Sequence, residues 1–235
     1  MKKIVLLIIS AVFITSCAEL QQIADQIPQG GNPLSQEQIG NGLRAALDNG
    51  IEKEVRQLMG KDGFYRNEAV KILLPEELQK VDKGLRKIGL SSVADEGLKL
   101  LNRAAEDATK EALPIFVNAV KEISFTDAKN ILFGDDQAAT TYLQTRTQQE
   151  LYAKFSPVIS SNLSQVGATN LWSNAINKYN KIPFTDQVNP DLTDYVTQKA
   201  LDGVFKMIAK EEGEIRTNLN ARTSDLLKKV FALQD

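Results

Sequence analysis

An all-α fold is predicted by three features of the sequence. From Ser35 onward apolar residues recur at steps of three and four, no stretch sustains the two-residue alternation of a half-buried strand, and Pro, Gly and Ser/Thr/Asp stand where helices would begin and end. At 235 residues, 43% of them hydrophobic, the chain suffices for one sizeable core. The expected architecture is a compact multi-helix domain with a central C-terminal helix, preceded by a flexible tether.

The chain opens on Met1-Lys2-Lys3 and an apolar run over residues 4–14, IVLLIISAVFI. Eleven residues fall short of the ~18–20 that cross a hydrocarbon core and match the apolar part of an export signal. Ile14-Thr15-Ser16-Cys17 then resembles the bacterial lipobox, whose cysteine is acylated on sulfur before the chain is cut in front of it. Residues 1–16 are accordingly expected to be a removed signal peptide and Cys17 a lipid attachment site. Two or three acyl chains, each buried CH₂ contributing ~0.8 kcal/mol, hold a protein on a membrane without a spanning helix. Ala18, rather than Asp, follows the cysteine, which by the sorting rule of diderm bacteria points to the outer membrane, facing the periplasm. Removal of Lys2 and Lys3 leaves 26 basic against 30 acidic residues, and so mildly acidic a body is not expected to lie flat on anionic headgroups.

Residues 17–34 complete the tether. Pro28, Gly30, Gly31 and Pro33 disfavour any regular element there, and residues 18–34 span at most roughly 55 Å at ~3.3 Å per residue. A single helical domain over residues 35–235 follows. Ser35 with Gln38 forms a capping box, and Ile39, Leu43, Ala46, Leu47, Ile51, Val55 and Leu58 carry a long amphipathic helix to Gly60. After a short apolar piece, 69–74, Pro75 suits the first turn of a helix with Leu78, Val81, Leu85 and Ile88 inward and Gly89 beyond its end. Residues 92–112 are predicted helical with Ala94, Leu98, Leu101, Ala105 and Ala108 on one side, and Pro114 is expected to kink or break the pattern. Thr126 is the expected cap of a short helix ending near Gly134, and Asp135-Asp136 the start of one reaching Thr147. Periodicity resumes through Leu151, Phe155, Ile159 and Leu163 with a bend at Pro157. Thr169 is read as the cap of a helix carrying Leu171, Trp172, Ala175, Ile176 and Tyr179; residues 183–190 are expected to form a loop. From Leu192 to Ile208 the apolar arc covers more than half of the circumference, so 192–210 is the expected central helix. Thr223-Ser224-Asp225 begin a last helix burying Leu226, Leu227, Val230 and Phe231.

Composition excludes much chemistry. The chain has no histidine and one cysteine, which removes imidazole acid/base work, Ser-His-Asp and Cys-His nucleophiles, thiolate metal sites and an intramolecular disulfide. With 28 basic residues interspersed among 30 acidic ones, no basic stripe for nucleic acid is present. Gly134-Asp135-Asp136 lacks the spaced oxygens of a calcium loop, and no cofactor or metal is implied.

Two polar constellations remain. Asn102, Arg103, Glu106 and Asp107 share a helix, with Arg103 in register to pair with both acids; the helical wheel sets Arg103 and Glu106 nearly opposite the Leu101/Ala105/Ala108 face, so a solvated face or an inter-helix salt bridge is expected. The same cluster would become a binding-site candidate if it were buried facing Asp194 or Tyr195. Asp191, Asp194, Tyr195 and Asp202 lie at or near the central helix, and paired carboxylates can act as acid and base without histidine. Asp191, however, sits where a cap belongs, and Asp202 can pair with Lys199 or Lys206. Trp172, Tyr179 and Phe184 could present aromatic faces to a ligand, but at this spacing a core role is expected.

Several segments together resemble the bacterial envelope proteins grouped as domain of unknown function family 4197. They are 42–47 (GLRAAL), 64–75 (FYRNEAVKILLP), 85–90 (LRKIGL), 100–108 (LLNRAAEDA), 191–205 (DLTDYVTQKALDGVF) and 221–231 (ARTSDLLKKVF). The resemblance implies an all-helical domain, often exported or lipidated, and brings no catalytic residues. The function expected is that of an envelope-anchored lipoprotein carrying a helical interaction or structural module for a periplasmic protein or a small apolar ligand. A carboxylate-dependent envelope hydrolase acting on peptidoglycan and a hydrophobic-ligand carrier are the alternatives; Arg103, Glu106, Asp194 and Tyr195 are the candidate binding residues, and none is assigned as catalytic.

Overall fold

The computed structural model describes residues 34–75, 79, 83, 86, 87, 89, 91–184, 186–222 and 224–233. The signal peptide, Cys17 and linker read from the sequence lie outside these residues, as does most of the helix expected after Pro75. Gly89, proposed to follow that helix, has the positive φ (84°) that this position requires. Among the described residues the fold is all-α. Its helices are α1 Gln36–Leu58, α2 Ser91–Thr109, α3 Ala112–Lys121, α4 Phe125–Leu132, α5 Ala138–Ser164, α6 Ala168–Tyr179, α7 Leu192–Thr217 and α8 Asp225–Phe231, with a 3₁₀ turn at Leu219–Ala221. No helix among them is long and apolar enough to cross a membrane.

Helix α1 starts where its capping box places it, Ser35 Oγ accepting from Gln38 N–H and the Gln38 amide oxygen from Ser35 N–H. Other ends depart from expectation. The break near Pro114 comes earlier, at Lys110 and Glu111, and Pro114 lies in the first turn of α3, where its missing N–H forfeits no helical bond. Ser124, not Thr126, caps α4, in a capping box with Asp127. Gly167 rather than Thr169 precedes α6, with φ of 69°.

The two pieces expected on either side of Thr147 are one helix, α5. Its buried row Ala139, Leu143, Thr147, Leu151, Phe155, Ile159, Leu163 advances four residues at a time, so it winds slowly around the helix and meets α2, α3, α4, α6 and α7. Thr147 fits this row because its hydroxyl donates to Leu143 O at 2.7 Å, and Pro157 is carried through with Phe155 and Ile159 fully buried. Helix α7 is central as expected. It packs on α1, α2, α5 and α6, extends seven residues past 210, and meets α3 through an edge-on contact of Phe205 with Phe116, 5.9 Å between centroids.

A Glu–Arg pair on α7 governs one corner. The Glu212 carboxylate accepts from the Ala139 and Thr140 N–H groups at 2.9 and 2.8 Å, capping α5 in place of the expected aspartates. Arg216 donates to Glu212 and to the Ile131 and Leu132 carbonyls that end α4. The negative group thus meets a helix N-terminus and the positive group a C-terminus, as the backbone dipoles favour. Arg222, almost wholly buried, likewise donates to Ile215 O and Arg216 O at the end of α7.

Candidate functional site

Three of the predicted site residues, Arg103, Glu106 and Tyr195, converge on one stretch of chain, and what they bind there is the protein itself. Residues 59–75 leave the helical pattern and run against α2 and α7 as turns followed by a stretch without regular structure. Backbone groups outside helices need partners when covered. Side chains of those two helices supply them.

Glu106 is 3% exposed and pairs with Arg103, so of the two alternatives expected, a solvated face or a salt bridge between helices, the solvated face does not hold. Its carboxylate accepts from the N–H groups of Asp62, Phe64 and Tyr65 at 3.3, 3.1 and 3.2 Å, and from Arg103. Arg103 also donates to Asp62 Oδ1 at 2.6 Å. Burial alone would lower Arg103, but the hydrogen bonds to Glu106 and Asp62 outweigh it and raise its pKa. Asn102, fully buried, works one turn earlier: Oδ1 accepts from Ile72 N–H at 2.8 Å while Nδ2 donates to Ile72 O at 2.9 Å, completing both backbone valences of one residue. From α7, the Tyr195 hydroxyl donates to Leu73 O at 2.7 Å and Lys206 Nζ to Ala69 O at 2.9 Å.

Beneath these polar ties, Phe64 is fully buried against Gly203, where an added Cβ would sit 2.7 Å from the ring. Gly63 passes so close to the end of α1 that a Cβ would lie 2.4 Å from the carbonyl oxygens of Gln57 and Leu58. Segments 64–75, 100–108 and 191–205, three of those that carry the family resemblance, therefore meet in one strapped unit.

Asp194 is used differently. Its carboxylate accepts from the Tyr152 hydroxyl at 2.6 Å and Asn189 Nδ2 at 2.5 Å, and its own N–H donates to Asp191, the cap of α7. The hydrogen bond to Asp194 pushes the Tyr152 phenol up to about 12. Trp172 stacks on Tyr195 at 5.5 Å and donates through Nε1 to Asn189 O, the buried role expected of it; Phe184, expected in the core with it, is instead fully exposed beyond the helix end, and Leu171 is 73% exposed. Asp202 pairs with Lys199 at 3.7 Å, one of its two expected partners. Among the described residues Glu106 and Asp194 engage different partners, Glu106 the 62–65 backbone and Asp194 the side chains of Tyr152 and Asn189.

A carboxyl pair escaped sequence reasoning. Glu54 of α1 is buried against Glu211 of α7, with Lys53 Nζ 2.5 Å from Glu211 and 3.6 Å from Glu54. Burial, and then the neighbouring Glu211 charge, raise the Glu54 pKa, and its Oε2 is buried without a hydrogen-bond partner. The available signal was its register: Glu54 follows Ile51 by three and precedes Leu58 by four, a core position. Among the described residues no group of three acidic or thiol side chains could hold a metal.

Two open grooves mark the surface. One of about 400 Å³ lies between α5 and α7, lined by Gln144, Gln148, Gln149, Tyr152 and Gln198; the other, about 390 Å³, lies beside the strap, with Lys61, Asp62, Arg66 and Lys210. Neither has the Leu, Val and Phe lining expected of a hydrophobic-ligand carrier.

No curated protein and no solved structure matches the chain. The family described as protein of unknown function (DUF4197) matches residues 33–232, from two residues before the cap of α1 to just past α8, and the chain belongs to that family.

Proposed function

We propose that the protein is an exported lipoprotein, held on the periplasmic face of the outer membrane through Cys17, whose helical body acts as an interaction or structural module rather than an enzyme. The observation that carries this reading is the leader: a lysine start, an apolar run of eleven residues and Ile14-Thr15-Ser16-Cys17 containing the sole cysteine. The use of Glu106, Arg103, Asp194 and Tyr195 to tie down backbone and neighbouring side chains supports the non-enzymatic half. Each has polar atoms engaged by specific partners within the fold.

Mass spectrometry of the protein recovered from membranes is expected to find acyl chains on Cys17, and Cys17→Ala protein is expected in the soluble fraction. Unmodified Cys17, with Cys17→Ala protein still membrane-bound, overturns the anchor. In-cell crosslinking through surface positions is expected to trap a specific periplasmic partner.

A further inference from the structure

One end of the domain differs from the rest in both charge and polarity. The chain carries 30 acidic residues in 235, yet none falls between Glu150 and Asp186, a stretch that holds Lys154, Lys178 and Lys181. Of the seven large hydrophobic side chains exposed among the described residues, four lie inside it: Val166, Leu171, Ile182 and Phe184. Exposed apolar groups scattered singly need no explanation, but clustering within a locally cationic segment does.

Each of these groups is exposed in the local structure. Helix α6 turns Trp172 and Ile176 into the core; Leu171 and Lys178, two turns apart, share its outer face with the uncharged Asn170, Asn174 and Asn177. Lys181 follows the helix end, and the chain then turns through Ile182, Pro183 and Phe184, all exposed. Phe184 is 108% exposed and has φ of 64°, a left-handed conformation that bulky residues rarely adopt. The backbone is thus bent to hold an aromatic ring away from the protein, against both steric preference and hydrophobic burial.

We propose that this end, the outer face of α6 with the tip at 182–184, docks on an anionic phospholipid surface. Lys178 and Lys181 would meet headgroup phosphates while Leu171, Ile182 and Phe184 enter the boundary between headgroups and acyl chains, the division of labour that cationic and aromatic or aliphatic side chains adopt at bilayer interfaces. An acidic body need not lie flat for this: against the exposed Asp186 two residues beyond Phe184, Lys178 and Lys181 leave this face with a net positive charge. The proposal rests on the anchored reading, which brings the domain within tether length of a bilayer.

The sole cysteine makes the test specific. In full-length Phe184→Cys protein purified from membranes, an acylated Cys17 leaves only position 184 free for a nitroxide label. After reconstitution into vesicles of phosphatidylcholine and phosphatidylglycerol, the accessibility of the label to oxygen relative to a water-soluble nickel complex is expected to rise several-fold over a label at Glu68→Cys, a strongly exposed position on the strap. Adding Lys178→Glu and Lys181→Glu is expected to abolish the rise, as is omission of phosphatidylglycerol. A label at 184 as accessible to nickel as that at 68 in anionic vesicles overturns the proposal, and so does a label shielded from both reagents by a co-purifying protein. If Cys17 itself takes label, the anchor has failed, and Cys17→Ala, Phe184→Cys protein added to the same vesicles tests the docking surface alone. Circular dichroism of each variant confirms the helical fold.

Discussion

Glu106→Gln separates a strap from a reactive carboxylate. In the wild type Oε1 accepts from the Phe64 and Tyr65 N–H groups, and Oε2 accepts from the Asp62 N–H and from Arg103. An amide has one acceptor oxygen, so whichever way it turns, its NH₂ group confronts two donors. Each lost bond to the charged carboxylate is worth about 1.5–3 kcal/mol, and water can reach part of the vacated site through the half-buried Asp62 and Tyr65 amides. The net cost is therefore about 3 kcal/mol, a large share of the ~5–15 kcal/mol that holds a domain together. For a chain of this size that corresponds to a fall in Tm of about 6–12 °C. Thermal unfolding reads the total. Hydrogen exchange reads its location, since the Phe64 and Tyr65 amides are expected to lose protection while those in the middle of α5 keep theirs at mild temperature. A carboxylate held in place for chemistry tolerates its amide or gains stability from it. Unchanged Tm with unchanged protection at residues 64 and 65 refutes the strap.

Glu212→Ala removes the cap of α5 and strands Arg216 in a buried setting, with an expected cost of about 3–5 kcal/mol in urea unfolding. Glu54→Gln acts in the opposite sense. Because burial holds Glu54 above its ordinary pKa, the unfolded chain releases that proton at lower pH than the folded one. Wild-type stability then falls as pH rises from the ordinary glutamate value through the folded one and stays lowered above it. The variant is expected to match wild type in acid and to exceed it at neutral pH, compared by urea midpoints. Among the glycines, Gly97→Ala in α2 meets no atom within 4 Å and should gain about 0.5–1 kcal/mol of helix propensity. Gly203→Ala drives a methyl into the Phe64 ring and should lose about 1–3 kcal/mol, also read by thermal unfolding.

Helix α1 was legible because its signals are local: a capping box and an apolar stripe with no rival partner. The failures occurred where a distant residue did the work of a local one. Aspartates before α5 suggested a cap, but Glu212 reaches in from α7; Thr147 looked like an end because its polarity hides a hydroxyl satisfied within the helix. Helix α2 shows the same limit more sharply. Its apolar face, Leu101, Ala104, Ala105 and Ala108, meets other helices, while Asn102, Glu106 and Thr109 are buried on a second side, Asn102 and Glu106 beneath the strap. A loop held by hydrogen bonds leaves no hydrophobic periodicity on the helix beneath it, so Glu106 read as solvated. The exposure of Leu171 has the converse cause: its spacing suits a core helix, yet α6 is covered only on the side of Trp172 and Ile176.

This division bears on where function resides. The segments that carry the family resemblance build the strap and its supports: 64–75 is the strap itself, 100–108 supplies Asn102, Arg103 and Glu106, and 191–205 supplies Tyr195 and the Gly203 notch for Phe64. Their polar residues are recognisable in the sequence and are used by the fold. None of the segments that carry it falls within 151–185, where acidic residues are absent and Leu171, Ile182 and Phe184 face outward. Large apolar side chains left this exposed, one of them on a left-handed backbone, point to a reason outside the domain. If that reason is a bilayer, the lipid at Cys17 and the tip at Phe184 act as a tether and a footing. Together they would limit which faces of α1, α5 and α7 remain open to a partner, since one bound end restricts the orientation that the linker alone leaves free.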